Sequence, residues 1–140
     1  SFNLQLLGNI GGGTPVISRG PYLQSGSQTS ITIRWRTNVA CNGRVEVGTV
    51  LGAYTIAGPD ESCPTTEHSV TITGLVPDTK YYYQVSATDG TVLQGDADNY
   101  FRTNPPENTT RKIRVVAFGD CGRGNSAYQD DNLANYRNYL

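Results

Sequence analysis

The stretch LVPDTKYYY, residues 75–83, decides the fold of this 140-residue chain. It spaces Leu75, Pro77, Thr79 and Tyr81 two residues apart, in the order L-x-P-x-T-x-Y, so a turn built on Pro77 and Asp78 runs directly into an aromatic strand. This order leads into the penultimate strand of an antiparallel sandwich, where a tyrosine corner returns the phenol to the turn backbone. Upstream, SITIRWRT at 30–37 alternates Ile31, Ile33 and Trp35 with Thr32, Arg34 and Arg36, the period-2 pattern of a sheet with one wet face. RVEVGTV at 44–50, HSVTITGL at 68–75, YYYQVSAT at 81–88 and NYFRT at 99–103 read as further strands, separated by Gly, Pro, Asn and Asp. Short strands follow one another from Val16 to Thr103, and the spacing predicts a mainly β fold, a β-sandwich.

The corner motif, with Trp35 as the expected core plug two strands earlier, resembles a fibronectin type III or immunoglobulin-like domain over residues 15–103. Core packing accounts for Trp35 and Tyr81; Tyr82 points to the opposite face and has the better claim to a sugar-binding platform. Residues 1–14, SFNLQLLGNIGGGT, read as an N-terminal arm that adds to a sheet edge or stays mobile. Cys41 and Cys63 both fall in the strand-rich part and are expected to pair as a disulfide, the alternative being two separate buried thiols; with Cys121 they match no zinc spacing.

Composition narrows the function classes. A formal net charge of -1 and a pI near 5.7 give no electrostatic case for nucleic acid or an anionic membrane. No apolar run is long enough to span a bilayer and no signal peptide is visible. Met is absent even at position 1, which reads as a processed or excised segment. Asn108-Thr109-Thr110 forms a sequon whose meaning depends on the host.

After Thr103 the texture changes. NPPENTTR, residues 104–111, reads as a linker, and residues 112–140 as the incomplete start of a second, α/β unit. KIRVVAF at 112–118 has the continuous apolar character of a strand buried on both faces. Ser126 to Gln129 fit a capping box, and Leu133, Tyr136 and Leu140 give the following helix an apolar stripe. Between strand and helix stands GDCGRGNS, residues 119–126. Its glycines and serine approach the phosphate-cradling G-x-x-x-x-G-K-[ST] loop, but Asn125 occupies the lysine position and Asp120 brings a negative charge to an anion site. A carboxylate at a strand end, flanked by glycines that allow close approach, suits a hard metal ion better.

Gly119-Asp120-Cys121-Gly122 matches the G-D-x-G block that opens the metallophosphoesterase catalytic domain. With RGPYLQ at 19–24, SITIRWRT, His68-Ser69-Val70, GLVPDTKYYYQV and Phe101-Arg102-Thr103, the chain from about Arg19 onward resembles purple acid phosphatases of the bacterial type. The resemblance implies a secreted, periplasmic or extracellular enzyme that hydrolyses phosphate monoesters with a dinuclear centre, iron paired with iron, zinc or manganese, and a metal-bound hydroxide. It places Asp120 as a terminal ligand of the ferric ion, Gly119 and Gly122 in the motif turn, and the sandwich against the catalytic domain and in homodimer contacts. The family's remaining blocks, G-D-x-x-Y, G-N-H-[DE] and G-H-x-H, have no counterpart in these 140 residues, so this chain alone is expected to bind no metal centre and to be inactive.

His68, the single histidine, lies in a predicted strand and reads as structural; Cys121 reads as a buried small residue and Arg123 as an exposed turn residue. Two rival functions stay open. One is an adhesive or carbohydrate-binding module that would use Tyr22, Tyr54 and Tyr82; the other keeps an enzyme but makes it a phosphodiesterase or nucleotide pyrophosphatase.

Overall fold

A computed structural model describes residues 13–110 and residue 112. The chain divides into two compact units, Ser1–Thr109 and Thr110–Leu140. Among the described residues there are eight strands and no helix: β1 (Ile17–Gln24), β2 (Ile31–Cys41), β3 (Gly43–Gly48), β4 (Ile56–Ala57), β5 (Thr65–Ile72), β6 (Lys80–Ala87), β7 (Val92–Gln94) and β8 (Tyr100–Arg102). They form two sheets. One has the order β1-β2-β5; in the other, β4-β3-β6, both β7 and β8 pair with β6, β8 along residues 80–82 and β7 at residues 85–86. Every pairing is antiparallel.

The alternation seen in the sequence sets which face is buried. Ile31, Ile33, Trp35 and Thr37 of β2 point inward, as do Val45 and Val47 of β3, Val70 and Ile72 of β5, and Tyr81, Tyr83 and Val85 of β6. With Leu75 and Phe101 these side chains fill the space between the sheets. Burying each large apolar side chain is worth about 1.5–3 kcal/mol, so the pattern supplies the driving force for two-layer packing. Tyr81 and Tyr83 both pack on Phe101, with ring centroids 5.6 and 6.3 Å apart.

The LVPDTKYYY segment closes the fold as its spacing predicts. The Val76 N–H donates to the Tyr81 phenol oxygen at 3.1 Å, the tyrosine corner. Thr103, the residue after β8, braces the same turn: its hydroxyl donates to the Val76 carbonyl at 2.6 Å and accepts from the Thr79 N–H at 2.9 Å. Asp78 holds a positive φ of 49° at the turn.

Several boundaries move. β5 begins three residues before His68 and ends at Ile72, because Gly74 adopts a φ of 75° and turns the chain out of the strand. β3 ends at Gly48, where the Val50–Ala53 bridge folds the loop so closely that an added Cβ would lie 2.0 Å from the Ala53 carbonyl oxygen. The expected Cys41–Cys63 disulfide is not formed. Both cysteines are free, Cys41 facing the core from the end of β2 and Cys63 exposed in the loop before β5. The N-terminal arm over residues 1–12, the strand from Ile113 and the helix after Ser126 lie outside the described residues.

Candidate functional site

The sequence motif expected to carry chemistry, Gly119, Asp120 and Gly122 with Cys121 and Arg123, lies outside the described residues. Among the described residues, no group of three or more His, Cys, Asp or Glu side chains could hold a metal ion.

It does bring together a buried polar group of another kind. His68 sits on the inward face of β5, opposite Trp35 in register, and the two rings stack with centroids 4.6 Å apart and planes 9° from parallel. Its side chain is completely buried, so both ring nitrogens need partners within the protein. Nδ1 lies 2.6 Å from Glu61 Oε2, and Nε2 lies 2.9 Å from Thr37 Oγ1. The Thr37 hydroxyl also donates to the Val39 carbonyl at 2.8 Å. The Glu61 carboxylate meanwhile accepts from the Gly43 N–H at 2.9 Å and the Ser69 N–H at 3.1 Å. Both ring nitrogens thus have partners inside the fold, the Glu61 carboxylate on one side and the Thr37 hydroxyl on the other.

Glu61 itself is shaped by opposing forces. Burial disfavours its charge, but the hydrogen bonds from His68, Ser69 and Gly43, with the charge of His68, prevail and hold its carboxyl below the usual range. Through these bonds a loop residue ties β3 to β5, the two strands that face each other across the sandwich edge. Gly43 makes this approach feasible. A Cβ there would stand 2.5 Å from Trp35 Cζ2, 2.7 Å from Glu61 Oε2 and 2.8 Å from His68 Nδ1.

Cys41 completes a pattern that looks catalytic: its Sγ lies 3.8 Å from His68 Nε2, with Glu61 on the other ring nitrogen. The surroundings argue against a nucleophile. Cys41 has no exposed surface, and burial first, then the nearby charges of Glu61 and Asp89, push the thiol up despite the Thr37 hydrogen bond. No substrate reaches it. Next to this cluster, Asp60, Glu61, Ser62, Cys63, Thr65 and Ser69 border a shallow groove of about 430 Å³, onto which the partly accessible edge of Glu61 opens.

The tyrosines proposed for ligand binding lie on separate surfaces. Tyr82 and Tyr100 meet edge to face on the outer side of the five-stranded sheet, and the Lys80 ammonium lies 4.6 and 3.9 Å from their ring centroids while donating to the Tyr82 hydroxyl at 3.1 Å. The protein's own cation thus lies over both rings. Tyr22 is on the outer side of the other sheet, paired with Arg34. Tyr54 is half-buried in the loop that folds over Gly48.

Residues 19–110 match the family model described as the purple acid phosphatase N-terminal domain. This chain belongs to that family. The matched span runs from β1 through the tyrosine corner and past β8, so it covers both sheets. Among solved structures, the sensor domain of the anti-sigma factor RsgI4 from Pseudobacteroides cellulosolvens, in its longer version, is similar at 19% identity and a TM-score of 0.51, over 72% of this chain and 100% of that one. A fibronectin type III domain from the human KIAA0970 protein is similar at 14% identity and a TM-score of 0.52, over 77% and 85%. These two likenesses show the fold alone: a fibronectin III-like sandwich. A search among curated proteins returns no significant match.

Proposed function

We propose that this chain is the N-terminal part of a secreted purple acid phosphatase-like enzyme that hydrolyses phosphate monoesters, and that the sandwich itself carries no catalysis. The observation that supports this reading is the family match over residues 19–110, followed in the sequence by G-D-x-G at 119–122. The order is that of the family: a sandwich, a proline-bearing linker at 104–111, then the aspartate that opens the catalytic domain. A dinuclear iron centre, when bound, supplies Lewis-acid polarisation of the phosphoryl group and an activated water nucleophile. Asp120 is this chain's contribution to the metal ligands, with Gly119 and Gly122 giving the turn that presents it. The remaining ligands belong to sequence beyond Leu140.

The sandwich contributes rigidity. Its buried Glu61–His68 pair and tyrosine corner hold the two sheets and the chain's exit at Thr103 in a fixed relation, from which the linker departs. The reading is tested by the coding sequence downstream of Leu140. Blocks of the form G-D-x-x-Y, G-N-H-[DE] and G-H-x-H are expected there; a stop codon immediately after Leu140 would leave Asp120 without a site and overturn the proposal.

A further inference from the structure

The outer face of the three-stranded sheet carries a concentration of positive charge that neither the core nor the proposed phosphatase role uses. Antiparallel register places its side chains in rows. Arg19 of β1 lies beside Arg36 of β2 and then Glu67 of β5; one row on, Tyr22 lies beside Arg34 and then Ser69. A third row sets Gln24 beside Thr32 and Thr71, whose hydroxyls meet at 2.9 Å. Three arginines thus share one face with a single carboxylate, Glu67, which pairs with Arg36. Arg19 rests over the Tyr22 ring at 5.6 Å, and Arg34 reaches only the Gln24 amide at 3.4 Å, while its Nε is buried without a hydrogen-bond partner among the described residues.

The opposite sheet is different. There Arg44 is bidentate to Asp60, Arg102 pairs with Asp78, and Lys80 is enclosed by two tyrosines. Among the eight strands, the positive excess therefore lies on this one face.

We propose that this arginine face binds an acidic polysaccharide, with Arg19 and Arg34 on its carboxylates and Tyr22 against a sugar ring. Charge complementarity fixes the sign of the ligand, and the guanidinium fork suits a planar carboxylate. The neighbouring groups choose among polyanions. Hydroxyls of Thr32, Ser69 and Thr71 and the Gln24 amide match sugar hydroxyls, and the half-exposed Tyr22 ring offers an apolar surface with a polar tip. An acidic protein would need an apolar anchor at the centre of its interface, and Tyr22 is the sole large apolar side chain in these three rows. Arg19 and Arg34 stand in adjacent rows on adjacent strands, so they can meet successive points of an extended chain.

The inference is independent of the phosphatase reading and is tested on the full 140-residue chain. Binding of polygalacturonate is measured by titration calorimetry, alongside its methyl-esterified form, polyglutamate and inorganic polyphosphate. Expected are binding to polygalacturonate that weakens as salt rises, loss of that binding on esterification, and an affinity drop of about fivefold or more in Arg34→Gln and in Arg19→Gln. Tyr82→Ala, on the other sheet, should bind as the parent does. Thermal melts establish that each variant is folded; Arg19, being exposed, keeps the test decisive if Arg34→Gln does not fold. Tighter binding of polyglutamate or polyphosphate, equal binding of the esterified polymer, or unchanged affinity in both arginine variants would each overturn it.

Discussion

Replacing Glu61 by Gln probes the buried latch that joins the two sheets. The substitution keeps the shape of the side chain but removes the charge that faces His68 at 2.6 Å, and only one of the two amide atoms can still accept from Gly43 and Ser69. Removing one partner of a fully buried ion pair costs roughly 3–5 kcal/mol. Here the Glu61 side chain retains 16% exposure and His68 none, which lets water recover part of the loss on the carboxylate side. A cost of about 2–4 kcal/mol is expected, and in a domain of this size each kcal/mol shifts Tm by roughly 4–8 °C. Thermal unfolding at neutral pH, followed by circular dichroism, should show a drop on the order of 10–20 °C. The effect should also depend on acid. The Glu61 carboxyl is held below the usual range in the folded state, so its contribution is complete above the ordinary carboxylate value and disappears as pH falls through the depressed one. The gap between parent and Glu61→Gln should therefore narrow below about pH 4. A variant that melts within 2 °C of the parent at neutral pH, or a gap that widens in acid, would refute the role given to the Glu61 carboxylate.

Tyr81→Phe removes only the acceptor for the Val76 N–H, and urea titration should show a loss of about 0.5–1.5 kcal/mol with an unchanged m-value. Gly43→Ala forces a Cβ into Trp35, Glu61 and His68 together and should cost about 1–3 kcal/mol or abolish folding, read from the same titration. Thiol labelling followed by peptide mapping should modify Cys63 readily in the native protein and Cys41 only on denaturation; rapid native labelling of Cys41, or a recovered Cys41–Cys63 cross-link, would contradict the buried free thiol.

Much of the sandwich was legible because its cues are local. Alternation in β2 assigned Trp35 inward and Arg34 and Arg36 outward, and the spacing of Leu75, Pro77, Thr79 and Tyr81 announced the corner. The short strands β4 and β7 were missed, since two or three residues cannot display a period. β1 was obscured by register shifts between Ile17 and Arg19 and between Arg19 and Tyr22, which break its alternation. The Glu61 latch was invisible for a different reason. Glu61 sits in a polar loop, 18 residues from Gly43 and 7 from His68, and only the closed fold brings the three together. The cysteine pairing failed on the same ground: Cys41 and Cys63 share a region of sequence, but the β2 pleat turns Cys41 toward His68 while Cys63 faces solvent. The arginine face was half visible, as the wet side of β2; its third member, Arg19, joins through strand pairing.

The most direct test of the central claim is phosphatase activity and metal content of the protein encoded by the complete gene, compared with its Asp120→Asn variant. The account predicts that the parent hydrolyses p-nitrophenyl phosphate and carries two metal ions per chain, one of them iron, and that the variant keeps the sandwich's melting transition while losing bound iron and at least about 100-fold in kcat/KM, about 2.7 kcal/mol of transition-state stabilisation. Absence of activity and metal in the parent, or full activity in Asp120→Asn, would contradict it.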